Sequence, residues 1–344
     1  MLALKTAFWG TIERPSSLRL AWRQLKGARA TWQNFFYDFN RYRKHSATYH
    51  LNSAETLRSR IIASYHNIEK GLSLPNPRLG FGAENIGYLL SYLNEYLSRY
   101  GVDEFLSVPA SVLRAYVNFN ESNGKLDYPH KDAIKKFIAA VGDKFPDPQG
   151  GTIKVTREEI EAVTAGVTAD FFNKRFSVRQ FSKREVDRAD IDAAIAIALK
   201  APAVCNRQNG HVHVAESPEL VAKLLEMQGG ARGFGQGVNR LLIVTNRLTN
   251  FWGMAERNQA WIDGGLFAMS LLYGLHSRNL GACCLNWSKM VDTDRKMHEF
   301  LGLPDSEVII MFIAVGHLPD ALEVARSYRK PVSEARSYIT RSVN

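Results

Sequence analysis

Trp261-Ile-Asp-Gly-Gly-Leu-Phe-Ala-Met-Ser-Leu-Leu-Tyr-Gly-Leu-His276 is apolar on nearly every side, and a helix of that kind has to be covered on all its faces. Before and after it stand Leu241-Leu-Ile-Val-Thr245 and Ile309 to Val315, short aliphatic runs that read as fully buried strands. Upstream, His211 to Ala215 alternates like a half-buried strand. Ile191, Ala194, Ile195, Ala198 and Leu199 mark one face of a helix that stops at Ala201-Pro202. A buried central helix among strands, flanked by further helices, predicts an α+β domain over residues 152–344, with helices on both faces of a mixed sheet.

The chain before this domain reads differently. Residues 51–146 are helical: Thr56 to Tyr65, Gly87 to Tyr100 and Asp132 to Val141 carry apolar residues at three- and four-residue spacing. A turn-rich block, Gly71 to Gly82, interrupts them, and Phe145-Pro-Asp-Pro-Gln-Gly-Gly151 reads as a linker to the domain that follows. Residues 1–50 form a basic, aromatic-rich arm. Positions 1–44 hold nine Lys/Arg against Glu13 and Asp38, so +7 of the net +10 lies there. Trp9, Trp22, Trp32, Phe35, Phe36, Tyr37, Phe39 and Tyr42 are interleaved with these charges. Such a segment suits an anionic membrane surface or another acidic partner; the plainer reading is a solvated arm whose aromatics pack on the body. Nucleic acid is not expected as a partner.

A hydrophobic content of 45% with 23% charged residues over 344 positions is globular and sufficient for about two cores. No apolar run approaches the ~20 residues of a membrane-spanning helix, and Met1 to Gly10 lacks an Ala-x-Ala-like cleavage site. Three cysteines, Cys205, Cys283 and Cys284, point to a reduced, cytoplasmic protein. No Cys/His spacing resembles a zinc site, and no metal is expected.

Chemistry is most legible at Arg175-Phe-Ser-Val-Arg179-Gln-Phe181, where Arg175, Ser177 and Arg179 put two guanidinium forks and a hydroxyl along a short stretch. That set suits a phosphate dianion; the plainer reading is a solvated basic turn. Ala201-Pro-Ala-Val-Cys-Asn-Arg-Gln208 follows a helix and precedes a strand, offering backbone groups and the side-chain amides of Asn206 and Gln208. Leu285, Asn286 and Trp287 end an apolar run whose amides can face a ligand, and Tyr328-Arg329-Lys330-Pro331 supplies a late cationic pair. The glycine-rich Gly229 to Gly237 is not a dinucleotide fingerprint, because its spacing is wrong and it precedes a strand. It reads as a loop beside a ligand, with Gln228 and Arg232 as contacts, or as a plain connector. His66, Glu69 and Lys70 form a cluster best read as structural, and Cys283-Cys284 reads as strand core.

Arg-x-Ser-x-Arg-x-Phe, then Ala-Pro-(x)3-Asn-x-Gln, a Gly-Leu-rich helix end, a strand ending Ala-Val-Gly316 and a late Arg-x-Pro follow one another over roughly 165–335. In order and spacing this resembles the FMN-dependent nitroreductase family. The resemblance implies a three-layer α+β sandwich and an intertwined homodimer with FMN at the subunit interface. It implies phosphate binding by Arg175, Ser177 and Arg179, with Arg329 as a later partner. It also implies Pro202, Ala203, Val204, Asn206 and Gln208 against the flavin, and a backbone donor to the ring from Leu285 to Trp287. The family's loop usually has serines where Ala203 and Val204 stand and Pro-Trp where Asn209 and Gly210 stand, so the substrate face of this pocket is expected to differ. The amino-terminal half lies outside the family core; its Tyr65-His-x-Ile-Glu-Lys-Gly71 block is similar to one in longer members associated with surface-polysaccharide biosynthesis.

The expected activity is an FMN-dependent oxidoreductase that takes hydride from NADH or NADPH and passes it to a small-molecule acceptor by ping-pong turnover. The cofactor carries the chemistry, and no protein nucleophile is required. Arg207 and Arg232 are candidates for positive charge near the flavin's pyrimidine end. The alternative is a flavin-binding scaffold that docks to a membrane or assembly through its basic arm.

Overall fold

The computed structural model describes residues 17–48, 53–142, 145 and 150–340; the leader reading of Met1 to Gly10, the arm residues before Ser17 and most of the linker lie outside them. Helix α1 (Ser17–His45) runs 29 residues and ends in Arg43, Lys44 and His45, cations that complement the helix dipole. α2 (Ala54–Leu72), α3 (Ala83–Tyr100), α4 (Ser107–Ser122) and α5 (Lys131–Val141) form the helical region. Ser53 caps α2 by accepting from the Thr56 amide. The inner faces of these four helices share one core of Leu57, Ile61, Ile86, Leu89, Leu93, Leu113, Tyr116, Ile134 and Phe137. α4 has no counterpart among the sequence expectations. Its Val108, Val112 and Val117 weaken the helical signal, and Pro109 is tolerated because it sits in the first turn, where its missing N–H is not needed.

Two short helices, α6 (Arg157–Thr164) and α7 (Ala169–Asn173), lead into the carboxy-terminal domain. There α8 (Arg188–Ala198), β1 (Gly210–Ala215), α9 (Pro218–Gln228), β2 (Arg240–Arg247), α10 (Gln259–Ser277), β3 (Leu280–Asn286), α11 (Val291–Leu301) and β4 (Glu307–His317) follow in order, with α12 (Val332–Ala335) in the tail. The sheet order is β1-β2-β4-β3. All three pairings are antiparallel, and the parallel component of the expected mixed sheet is confined to an isolated bridge between Ser177 and Ala282.

Alternation along the strands builds the three layers. Leu242, Val244, Ile313 and Val315 face α8 and α10, where Ile191, Ala194, Phe267, Leu271 and Leu275 complete one core. Leu241, Ile243, Phe312 and Ala314 face α9 and α11, meeting Val221, Leu224 and Met297 in the second. The α8–α10 crossing is tight: a Cβ on Gly274 would stand 2.6 Å from the Ala194 carbonyl oxygen. The architecture is therefore an α+β three-layer sandwich preceded by a helical region.

Both amino-terminal elements are tied to the domain through Leu248–Gly253. Ser59 of α2 donates to the Asn250 carbonyl at 2.9 Å, Tyr42 of α1 donates to the Gly253 carbonyl at 2.6 Å, and the Ala47 amide donates to the Phe251 carbonyl at 2.9 Å. Tyr42, Leu248, Phe251, Ala260 and Val308 form a small apolar cluster there.

Candidate functional site

Arg175 to Phe181 runs extended along the outer edge of β3. The Val178 amide donates to the Ala282 carbonyl at 3.0 Å. Val178 is buried against Gly281, where a Cβ would come within 2.8 Å of its side chain, and Phe181 lies equally close over Gly316. Two bare glycines thus let the segment seat its apolar residues inward. Ser177 and Arg179 stand exposed and Arg175 is half-buried. The arginine charges reach β3: Cys283 is pushed up by burial and drawn back by Arg179, and Arg175 acts likewise on Cys284. Cys284 itself is exposed, so only Cys283 belongs to the core as expected.

Arg175 and Arg179 open into different recesses. Arg175 lines one of 250 Å³ with Val178, Leu280, Ala282, Leu318 and Leu322. Arg179 lines one of 790 Å³ with Phe181, Leu225, Arg232, Phe234 and the glycines from 233 to 237. The larger volume is that of a small-molecule site. The Cα atoms of Arg175 and Arg179 lie about 13 Å apart along this extended chain, with the exposed Ser177 between them. Neither arginine makes an ion pair with a carboxylate among the described residues, so both retain donors.

The loop after α8 is held in an unusual backbone. Cys205, Asn206 and Gln208 all have positive φ, between 50° and 54°, a conformation non-glycine residues keep only when their surroundings impose it. Asp263 of α10 imposes it, accepting from the Val204 amide and from Asn209 Nδ2, each at 3.1 Å. Asn250 Nδ2 then donates to Asn209 Oδ1 at 2.7 Å. Pro202 and Gln208 are exposed, while Ala203, Val204 and Asn206 are half-buried. The recess beside Pro202, Ala203, Gln208 and Phe267 measures only 10 Å³, less than a water needs, so the single chain presents this loop as a surface and not as a closed pocket.

Leu285 and Trp287 turn their side chains into the core, and Trp287 Nε1 donates to Asp294 at 2.7 Å. Of the three only Asn286 is exposed; its carbonyl accepts from Gln228 Nε2 and the Trp287 carbonyl from the Lys289 amide.

Three expectations are corrected. Arg207 is unavailable to a flavin: its side chain is fully buried, bidentate on Glu256 at 2.6 and 3.0 Å, bonded to the Val204 and Asn250 carbonyls, and stacked on Trp252. Gln228 is consumed by the Asn286 carbonyl and the Gly230 amide, which fixes the start of the glycine-rich loop. The arm's aromatics do not pack on the body as a group, since Trp22, Trp32, Phe35, Phe36 and Phe39 are exposed. Arg329 lies exposed in the tail, donating to the Ser327 carbonyl. His66 and Glu69 pair at 3.1 Å, and Glu69 also accepts from the Gly151 amide, so this cluster holds the end of the linker. Sequence reasoning missed Asp263, Asn250 and Glu256, because the signal for a positioning residue is the partner it meets in space.

A further recess of 560 Å³ between α1 and α11 gathers none of the expected flavin-site residues; Lys44 and Arg295 line it beside Asp292 and Asp305. Among the described residues no cluster of three or more His, Cys, Asp or Glu could hold a metal, and no helix is long and apolar enough to cross a membrane.

Residues 173–231 and 240–317 match the model of the Nitroreductase family, so the carboxy-terminal part of the chain carries a nitroreductase-family domain. No curated protein matches the chain. Among solved structures, an FMN-dependent nitroreductase from Clostridium difficile is 19% identical over 50% of this chain and 98% of its own, with a TM-score of 0.40. A protein described as an NADH oxidase from Clostridium acetobutylicum is 19% identical over 50% of this chain and all of its own, with a TM-score of 0.43. One described as a nitroreductase in complex with FMN, from Desulfovibrio desulfuricans, is 17% identical over 50% and 96%, at 0.42.

Proposed function

We propose that the chain is an FMN-dependent oxidoreductase that takes reducing equivalents from NADH or NADPH and delivers them to a small-molecule acceptor in a ping-pong cycle. The observation that carries this reading is the uncommitted Arg175, Ser177 and Arg179 edge beside β3, within a domain of the nitroreductase family. Bound there, FMN would supply the hydride chemistry. Arg175, Ser177 and Arg179 hold its phosphate. Pro202, Ala203, Val204, Asn206 and Gln208 offer backbone and amide groups to the ring, and Leu285 to Trp287 offer main-chain groups from the end of β3. Arg232, exposed in the 790 Å³ recess, attracts anionic donors and acceptors.

The working form in this reading is a homodimer. Ile153, Ile160 and Val163 near α6, Trp261, Ile262 and Leu266 on α10, and Tyr338 and Ile339 in the tail are all exposed, an amount of apolar surface that a second copy would cover. The open face at Pro202–Gln208 then gains its opposite wall from the partner, and Arg329 travels with the tail. The similarity of Tyr65–Gly71 to longer family members is the ground for placing the acceptor in polysaccharide-related metabolism.

The test is the visible spectrum of the purified protein, followed by anaerobic addition of NADH and then NADPH. Flavin bands that bleach with a nicotinamide support the oxidoreductase. Bands that persist favour the flavin-binding scaffold, and a colourless protein that cannot be reconstituted with FMN sinks both.

A further inference from the structure

α1 carries two faces that point in opposite directions. At about 100° per residue, Asn34, Tyr37, Arg41, Tyr42 and His45 fall on one side. Their contacts go to the body: Tyr37 and Arg41 to Asp294, Asn34 to the Val291 amide, and His45 to Asp305. Trp22, Leu25, Ala28, Trp32, Phe35, Phe36 and Phe39 fall on the other, in a stripe about 140° wide and about 26 Å long. Trp32, Leu25 and Phe35 are each more than 70% exposed, although nothing in helix formation requires large apolar residues there. Lys26, Arg29 and Arg43 stand exposed in or beside this stripe, while the helix's one acid, Asp38, sits on the body-facing half.

We infer that α1 lies flat on an anionic lipid bilayer, with its aromatic stripe at the level of the headgroups and the carboxy-terminal domain held above it. The charge distribution selects this occupant over a second copy of the same helix, whose cations would face each other across such a seam. Rows of aromatic and aliphatic side chains with long basic side chains among and beside them match the boundary between headgroup and acyl chain, where tryptophan is favoured and long basic side chains reach the phosphates. Nucleic acid would instead require a surface on which cations predominate, whereas Trp22, Leu25, Trp32, Phe35, Phe36 and Phe39 dominate this one. Near its end α1 is bonded to the body through the buried Arg41–Asp294 contact.

Flotation of the full chain with phosphatidylcholine vesicles, and with vesicles of equal phosphatidylcholine and phosphatidylglycerol, tests this. Binding is expected to the anionic vesicles and to weaken as salt rises, each basic residue at the surface contributing roughly fivefold. The triple substitution Trp32→Ser, Phe35→Ser, Phe36→Ser should weaken binding at least tenfold while leaving the melting temperature unchanged, because these side chains are exposed. No flotation at low salt overturns the inference, as does binding that survives the triple substitution. A triple variant whose mass by light scattering falls from dimer to monomer also overturns it, showing that a second copy covers the stripe. Salt-sensitive binding to RNA without binding to vesicles would do the same.

Discussion

Arg179 and Arg207 both precede β1, yet one stands in solvent and the other is sealed by Glu256, two carbonyls and Trp252. Their substitutions should therefore fail in different assays. Arg175→Ala with Arg179→Ala removes two charge-assisted contacts worth about 1.5–3 kcal/mol each. Dialysed protein should then retain far less FMN by fluorescence, with an unchanged melt; full retention would refute the phosphate assignment. Arg207→Ala strands a half-buried carboxylate and should cost about 3–5 kcal/mol in denaturant unfolding. Glu307 shows the same logic through pH. Burial alone would raise its carboxyl, but hydrogen bonds from His213 and Thr245, with the charge of His213 and His211, outweigh burial and hold it below the usual range. A lowered folded-state value means stabilisation that is complete above the unfolded value of about 4.3 and lost as pH falls through the folded one. The stability gap between the wild type and Glu307→Gln should thus be full at about pH 5 to 6, where the carboxylate is ionised and the imidazoles carry charge, and shrink as pH falls below the unfolded value of about 4.3; a gap that persists in strong acid would refute it. Arg175, Ser177 and Arg179 were legible because their spacing is itself the signal, whereas the commitment of Arg207 depends on Glu256, which adjoins it only in three dimensions.

The elements that period and composition defined, α2, α3, α5, α8, β1, β2, β4 and α10, are those whose faces are set by a single packing demand. Continuous aliphatic runs marked strands covered on both sides, and the helix apolar all round lies between α8 and the sheet. α4 escaped because its valines and Pro109 speak against a helix locally, while its inner face, Val112, Leu113, Tyr116 and Val117, is paid for by the α2–α5 core. The purely antiparallel pairing was illegible as well, since strand direction follows from connections and leaves no trace in side-chain periodicity. Gly274 carries the sharpest consequence. Because the atom a Cβ would strike is backbone of Ala194, no rotamer change relieves it and α8 must move. Gly274→Ala should cost about 1–3 kcal/mol by overpacking, despite alanine's better helix propensity. Gly265→Ala on the same helix, where nothing lies within 4 Å, should be neutral or slightly stabilising. Equal melting temperatures for the two variants would refute the close-approach account.

Arg41 joins the arm to the domain that carries the candidate flavin site. Its guanidinium, 5% exposed, meets Asp294 at 3.1 Å and the Glu307 carbonyl at 2.6 Å, and contacts the ring of His298. Asp294 in turn holds Trp287 at the end of β3. Asp305, which burial alone would raise, is kept low by His45, Arg41 and Lys44, so the last turn of α1 forms an ion-pair seat on α11 and the loop before β4. The first half of α1 has no comparable seat. Of its residues before Asn34, Trp22, Leu25 and Trp32 are more than half exposed. Two truncations separate these halves. Removing residues 1–33 should leave the melt and the flavin content unchanged. Removing residues 1–46 takes away Arg41 and leaves Asp294 buried without its cation, a loss of about 3–5 kcal/mol. It should also loosen Trp287, seen as a red shift and weaker near-ultraviolet ellipticity, with partial loss of FMN. If both truncations melt alike, Arg41 is a passive contact and the arm is independent of the site. If only the longer one falls, the end of α1 is part of the structure that holds β3 in place.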